Sequence, residues 1–96
     1  MDNYEKYREF LIKRGSGRDK YPYSEATLNR YTDDIRIIES KFGSILQDPE
    51  MLIKKITANY QESTTKAKMT SISLYMEHIG EIDRQRLFLN RIRELS

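Results

Sequence analysis

"SEATLNRYTDDIRIIESKFG", residues 24–43, is the stretch whose reading decides the fold. Leu28, Tyr31, Ile35, Ile38 and Phe42 recur at steps of three and four, which gathers them on one face of an α-helix. Ser24 stands just ahead as the residue type that accepts from the free amides of a first turn, and Gly43 follows as a left-handed stop. Glu25, Asn29, Asp33, Arg36 and Glu39 fall between the apolar positions and face water or a partner.

Working outward, the same periodicity predicts a helix from about Asn3 to Arg14, with Tyr4, Tyr7, Phe10 and Leu11 at helical spacing. "GSGRDKYP" then makes a flexible basic loop. Downstream, Asp48 before Pro49 opens a third helix, because aspartate caps free amides and proline at the first position needs no donor. Leu52, Ile53, Ile56 and Tyr60 form its buried stripe. A fourth helix is expected from Ser63 or Thr64 to Gly80, burying Met69, Ile72, Met76 and Ile79, and a fifth from about Asp83 to Leu95. No strand-period alternation lasts long enough to compete. The fold class is therefore all-α: a compact bundle of four to five short helices in a single domain, 1–96, with its core in residues 4–80.

The chain holds 96 residues, 38% hydrophobic and 33% charged, enough for one modest core. It has no cysteine, which excludes disulfides, thiolate nucleophiles and cysteine-based zinc sites. "MDNYEKYREF" is acidic and amphipathic, unlike a signal peptide, and no run approaches the roughly 20 apolar residues of a membrane span. The expectation is a cytoplasmic protein with no membrane partner.

No catalytic constellation assembles. His78 is the only histidine and lacks a metal-ligand spacing around it, and "RGSGRDK" lacks the preceding strand and the GK[ST] ending of a phosphate loop. Asp33 and Asp34 are neighbours, so on a helix they point about 100° apart and read as solvated acids. Neither an enzyme, a cofactor, a metal site nor a small-molecule substrate is expected.

Seventeen Lys and Arg against fifteen Asp and Glu give a net charge of +2, too small to name a partner by itself. The distribution says more, with basic clusters in Lys13–Lys20 and Lys54–Lys68 and four arginines at 84, 86, 91 and 93. Five of the seven tyrosines, Tyr4, Tyr7, Tyr31, Tyr60 and Tyr75, lie on or beside apolar stripes, where a phenol half in the core is ordinary. Tyr21 and Tyr23 lie in the basic loop and are candidates for a surface contact.

"YREFLIKRG", "SEATLNRYTDDIRIIESKFG" and "ESTTKAKMTSISLYMEHIG" together resemble the amino-terminal core-binding domain of tyrosine recombinases, the SAM-like helical domain of phage integrases. The likeness rests on Ser24, Thr27, Tyr31, Asp34 and Ile35 in the family's Ser-x-x-Thr-x-x-x-Tyr-x-x-Asp-Ile pattern. It rests more loosely on Thr65, Lys66, Met69, Ser71, Ile72 and Tyr75. The family's catalytic domain has no counterpart here. The resemblance implies a clamp on duplex DNA in which the second and fourth helices face the groove and its phosphates, with Ser24, Thr27, Thr65 and Lys66 near phosphate.

Free amides and the helix dipole favour phosphate at such helix starts, and hydroxyls and lysines add donors. Capping alone accounts for Ser24 with no DNA needed, and the two roles are compatible. The DNA-binding set is accordingly Arg18, Lys20, Tyr23, Ser24, Thr27, Arg30, Thr65, Lys66 and Lys68. The alternative is a protein-protein module, a homo-oligomer or a domain docked on a larger partner. Its candidate surface is the last helix, where Leu87, Phe88, Leu89, Ile92 and Leu95 exceed what one buried face requires.

Overall fold

In a computed structural model of the protein, described for residues 3–95, five helices follow one another: α1 (Asn3–Arg14), α2 (Glu25–Phe42), α3 (Pro49–Asn59), α4 (Glu62–Ile79) and α5 (Ile82–Glu94). Among the described residues the only β-type pairing is an isolated antiparallel bridge between Ser16 and Tyr21. The Cα radius of gyration, 12.7 Å, matches the roughly 12.5 Å of a compact chain of this length. The protein is an all-α bundle.

The helix starts show which local signals operate. Ser24 takes an extended conformation and its side chain accepts from the Thr27 amide, and Asp48 does the same for Met51 with Pro49 in the first turn. α4 departs from expectation: it begins at Glu62, so Ser63 and Thr64 lie inside its first turn. Gln61 takes the N-cap position without a side-chain hydrogen bond, so no side chain marks this start. α2 ends at Gly43 with φ +94° and ψ −161°, outside the left-handed helical well expected there. Gly80 does adopt that well, at φ 78° and ψ 15°. Its amide and that of Glu81 close onto the carbonyls of Glu77 and Met76, ending α4 and turning the chain into α5.

α4 is the central helix. α1, α2, α3 and α5 all pack on it, and Ser71 through Met76 are buried without a break. An amphipathic stripe therefore underestimates its burial, and the small side chains of Ser71 and Ser73 make close approach on extra faces possible. Their hydroxyls satisfy hydrogen bonds to Asp34 and to the Thr70 carbonyl. At its end the pattern overshoots, because Ile79 is exposed.

The core joins Tyr7 and Leu11 of α1, Leu28, Tyr31, Ile35 and Ile38 of α2, Leu52, Ile53 and Ile56 of α3, and Phe88 of α5 onto this helix. Tyr60, expected within the buried stripe, is half-buried at its edge. Ile45, in the loop after α2, is also buried. The Arg84 side chain on α5 donates to the carbonyls of Leu46 and Gln47, fixing that loop.

Candidate nucleic-acid interface

The basic loop after α1 folds back on itself as a short hairpin closed by one antiparallel pair. The Ser16 and Tyr21 backbones exchange hydrogen bonds of 2.7 and 3.0 Å, and the Lys20 amide closes a turn on the Gly17 carbonyl. Gly15 makes the hairpin possible: at φ +66°, a Cβ there would stand 2.6 Å from the Lys20 carbonyl oxygen. Arg18, Asp19, Lys20 and Tyr21 project into solvent, Tyr21 with 67% of its surface exposed.

Arg14 ties the foot of the hairpin to the bundle. Its guanidinium donates to Glu77 at 2.6 Å, to the Gly15 carbonyl and to the Tyr23 hydroxyl. The hydrogen bond to Glu77, with the attraction of its carboxylate, holds the Arg14 guanidinium above its ordinary pKa despite partial burial. Tyr23 is thus a structural post, correcting its expected role as a free loop contact: its ring meets Tyr31 edge-on at 5.5 Å. Arg30 lies over the other partner of that pair, 5.0 Å from the Tyr31 ring centroid. The hairpin foot and the first turns of α2 therefore share one surface.

At the α2 start, the Ser24 hydroxyl accepts from the Thr27 amide and donates to the Thr27 hydroxyl. Glu25 beside them is paired with Arg8. The cap is internally satisfied and one nearby acid is neutralised.

Farther along α2, Asp34 is buried, a correction to its reading as a solvated acid. It accepts from Lys68 at 2.7 Å and from the Ser71 hydroxyl at 2.6 Å, across the seam between α2 and α4. Lys68 has only 12% of its side chain exposed and is held there, so its assignment as a free phosphate ligand is corrected. Thr65 is corrected likewise: it is 1% exposed and its hydroxyl turns inward to the Tyr60 carbonyl. Lys66 remains half-exposed on α4.

Lys41 is the cation missing from the sequence reading. Its Nζ lies 4.9 Å from the Tyr60 ring centroid and 3.4 Å from the Tyr60 hydroxyl, with no carboxylate within ion-pair distance. Lys41 follows Arg30 by eleven residues, three helical turns or about 17 Å, and returns within about 20° of the same face. That spacing was visible in the sequence. What made it meaningful, the tyrosine under each cation, was not.

α5 divides its apolar residues between two sides. Phe88 is 1% exposed and belongs to the core, so it is no interface residue, and Ile92 and Leu95 pack against that core. Leu87 and Leu89 remain 39% and 40% exposed. A groove of about 290 Å³ between α3 and α5 is lined by Glu50, Lys54, Leu87, Asn90 and Arg91, among others.

His78 sits between α1 and α4 against the rings of Phe10, Tyr7 and Tyr75, with centroids 5.0 to 5.9 Å away. Burial, and then the charge of Lys6, lowers its pKa from the ordinary 6.5. Among the described residues no group of three potential metal-ligating side chains occurs, and no helix is long and apolar enough to cross a membrane. Comparison with family models, with curated proteins and with solved structures finds no match for this chain. The likeness to recombinase core-binding domains rests on the matched sequence positions alone.

Proposed function

We propose that this domain binds duplex DNA in the cytoplasm without catalysing a reaction on it, chiefly through phosphate contacts. One observation carries the reading. Arg30 and Lys41 stand three turns apart on one line of α2, each laid over a tyrosine ring and neither paired with a carboxylate. A cation steadied by a ring, with its outer side free, is preordered for a phosphate oxygen.

The basic hairpin extends this surface at the α2 start, its foot joined to Arg30 through Tyr23 and Tyr31. The α4 start also lacks a side-chain cap, leaving amides of its first turn open to an anion. The matched recombinase positions point the same way, since that family's clamp uses its second and fourth helices.

With four to five phosphate contacts, the logarithm of affinity falls against the logarithm of salt with a slope of about −4. Raising salt from 50 to 200 mM then weakens binding on the order of a hundredfold. Fluorescence anisotropy with a labelled duplex measures this. Arg30→Ala and Lys41→Ala should each lower the slope by about one. Binding that is absent at low salt, or indifferent to salt, rejects the proposal.

The α5 surface supports a second reading, self-association or docking on a protein partner. Ile82 and Leu89, seven residues apart and so on one face, are both exposed, while Leu87 lies on the other side of the buried Phe88. Sedimentation at rising concentration should show a dimer that Ile82→Glu with Leu89→Glu abolishes. A monomer at every concentration removes the homo-oligomeric form.

A further inference from the structure

The hairpin carries an acid where a surface devoted to phosphate has no use for one. The Lys20 amide bonds to the Gly17 carbonyl across three residues, which makes Arg18 and Asp19 the two central residues of the turn. They sit at the turn of the hairpin, both exposed, and Asp19 makes no ion pair among the described residues. A carboxylate at that tip is repelled by a phosphate array. It is also the acceptor that a cytosine amino group requires, just as a guanidinium matches the two acceptors on the guanine edge.

We propose that this hairpin is a base-reading element that enters the major groove, with Arg18 donating to guanine and Asp19 accepting from a cytosine amino group. The inference rests on the reading of the domain as a duplex-DNA binder and adds sequence preference to it. Groove dimensions select the major groove. A hairpin closed by one antiparallel pair brings its two chain segments about 4.8 Å apart before side chains are added. It fits a groove about 12 Å wide and not one of about 6 Å.

Preorganisation supports the same use. The tip is set by the paired Ser16 and Tyr21, by the close approach at Gly15 and by Lys20 at φ +55°. Arg14 and Tyr23 then anchor it beside Arg30. The cations of α2 fix position on the backbone while the tip meets base edges, a division of labour common in protein–DNA contacts.

Selection from a random duplex library at low salt tests this, using the 96-residue protein, Arg18→Ala, Asp19→Ala and Arg30→Ala. The tip residues are exposed, so matching urea unfolding curves will verify that each variant is folded. The parent should enrich a motif containing G·C pairs. Arg18→Ala should lower discrimination at a guanine about tenfold, Asp19→Ala should relax a neighbouring pair, and Arg30→Ala should weaken all sequences alike.

A loop that only touches phosphate gives the opposite pattern: Asp19→Ala strengthens and Arg18→Ala weakens every sequence equally. That result, or a parent that binds duplex without enriching any motif, overturns the base-reading inference and leaves DNA binding standing. A parent that retains no duplex at low salt overturns both.

Discussion

Cutting the pair between Asp34 and Lys68 tests whether Lys68 belongs to the fold or to the DNA surface. Asp34 accepts 2.7 and 2.6 Å hydrogen bonds from Lys68 and Ser71, and the ion-paired side chains are only 7% and 12% exposed. Removing one member of a buried pair commonly costs about 3–5 kcal/mol, because the other charge is left unpaired. The two deletions should differ here. In Asp34→Ala the long lysine side chain can swing its ammonium to water, which limits the cost to about 2 kcal/mol. In Lys68→Ala the short aspartate cannot follow, and it keeps only the Ser71 hydrogen bond, for a cost of about 3 kcal/mol.

Either is a large share of the roughly 5–14 kcal/mol available to a domain of this size. Urea unfolding followed by circular dichroism gives these values, and the double variant should cost less than the sum of the two. Singles below about 0.5 kcal/mol with an additive double would refute the buried pair. Under conditions where Lys68→Ala is folded, its DNA affinity should keep the parent's salt slope. A slope lowered by about one would restore Lys68 to the phosphate contacts.

Two further outcomes follow from local geometry. Gly15→Ala places a methyl group 2.6 Å from the Lys20 carbonyl oxygen at φ +66°, so the bridge should open and stability fall by about 1–2 kcal/mol from backbone strain. Hydrogen exchange at the Ser16 and Tyr21 amides reads this directly, and unchanged protection would contradict it. For His78, burial and Lys6 lower the folded pKa below the ordinary 6.5. The unfolded chain therefore takes up the proton first as pH falls, so this contribution is complete above about pH 6.5 and is lost as pH drops toward the folded value. His78→Phe should remove that part of the decline in urea midpoint between about pH 7 and 5, while an identical decline in both proteins would exclude His78 as its source.

Where the fold was legible, a local rule acted alone. Ser24, the Asp48-Pro49 pair and Gly80 each act within a few residues of their own backbone, and α2 and α3 begin where these residues place them. α4 was read less well because tertiary contacts decide it. Its start has no side-chain cap to announce it, and Thr65, Ser71 and Ser73 are buried by neighbours that no window of α4 contains. Asp34 and Lys68 each look solvated within their own segments. Only the seam between α2 and α4 turns them into partners.

The same seam decides which cations remain available to a polyanion. Lysine, arginine and threonine near a helix start satisfy a sequence pattern for phosphate equally well, yet a side chain already holding a buried carboxylate has no free donor to offer at low cost. Lys68 is engaged in that way, and the Thr65 hydroxyl is turned inward to the Tyr60 carbonyl. Arg30 and Lys41 instead rest on aromatic rings, which hold a cation in place without consuming its outward hydrogen-bonding capacity. If the domain binds DNA, its affinity therefore depends less on the number of basic residues in each cluster than on which of them the packing leaves without a carboxylate. Exchanging Lys41 should accordingly alter salt dependence more than exchanging Lys68, although the sequence clusters alone rank them the other way.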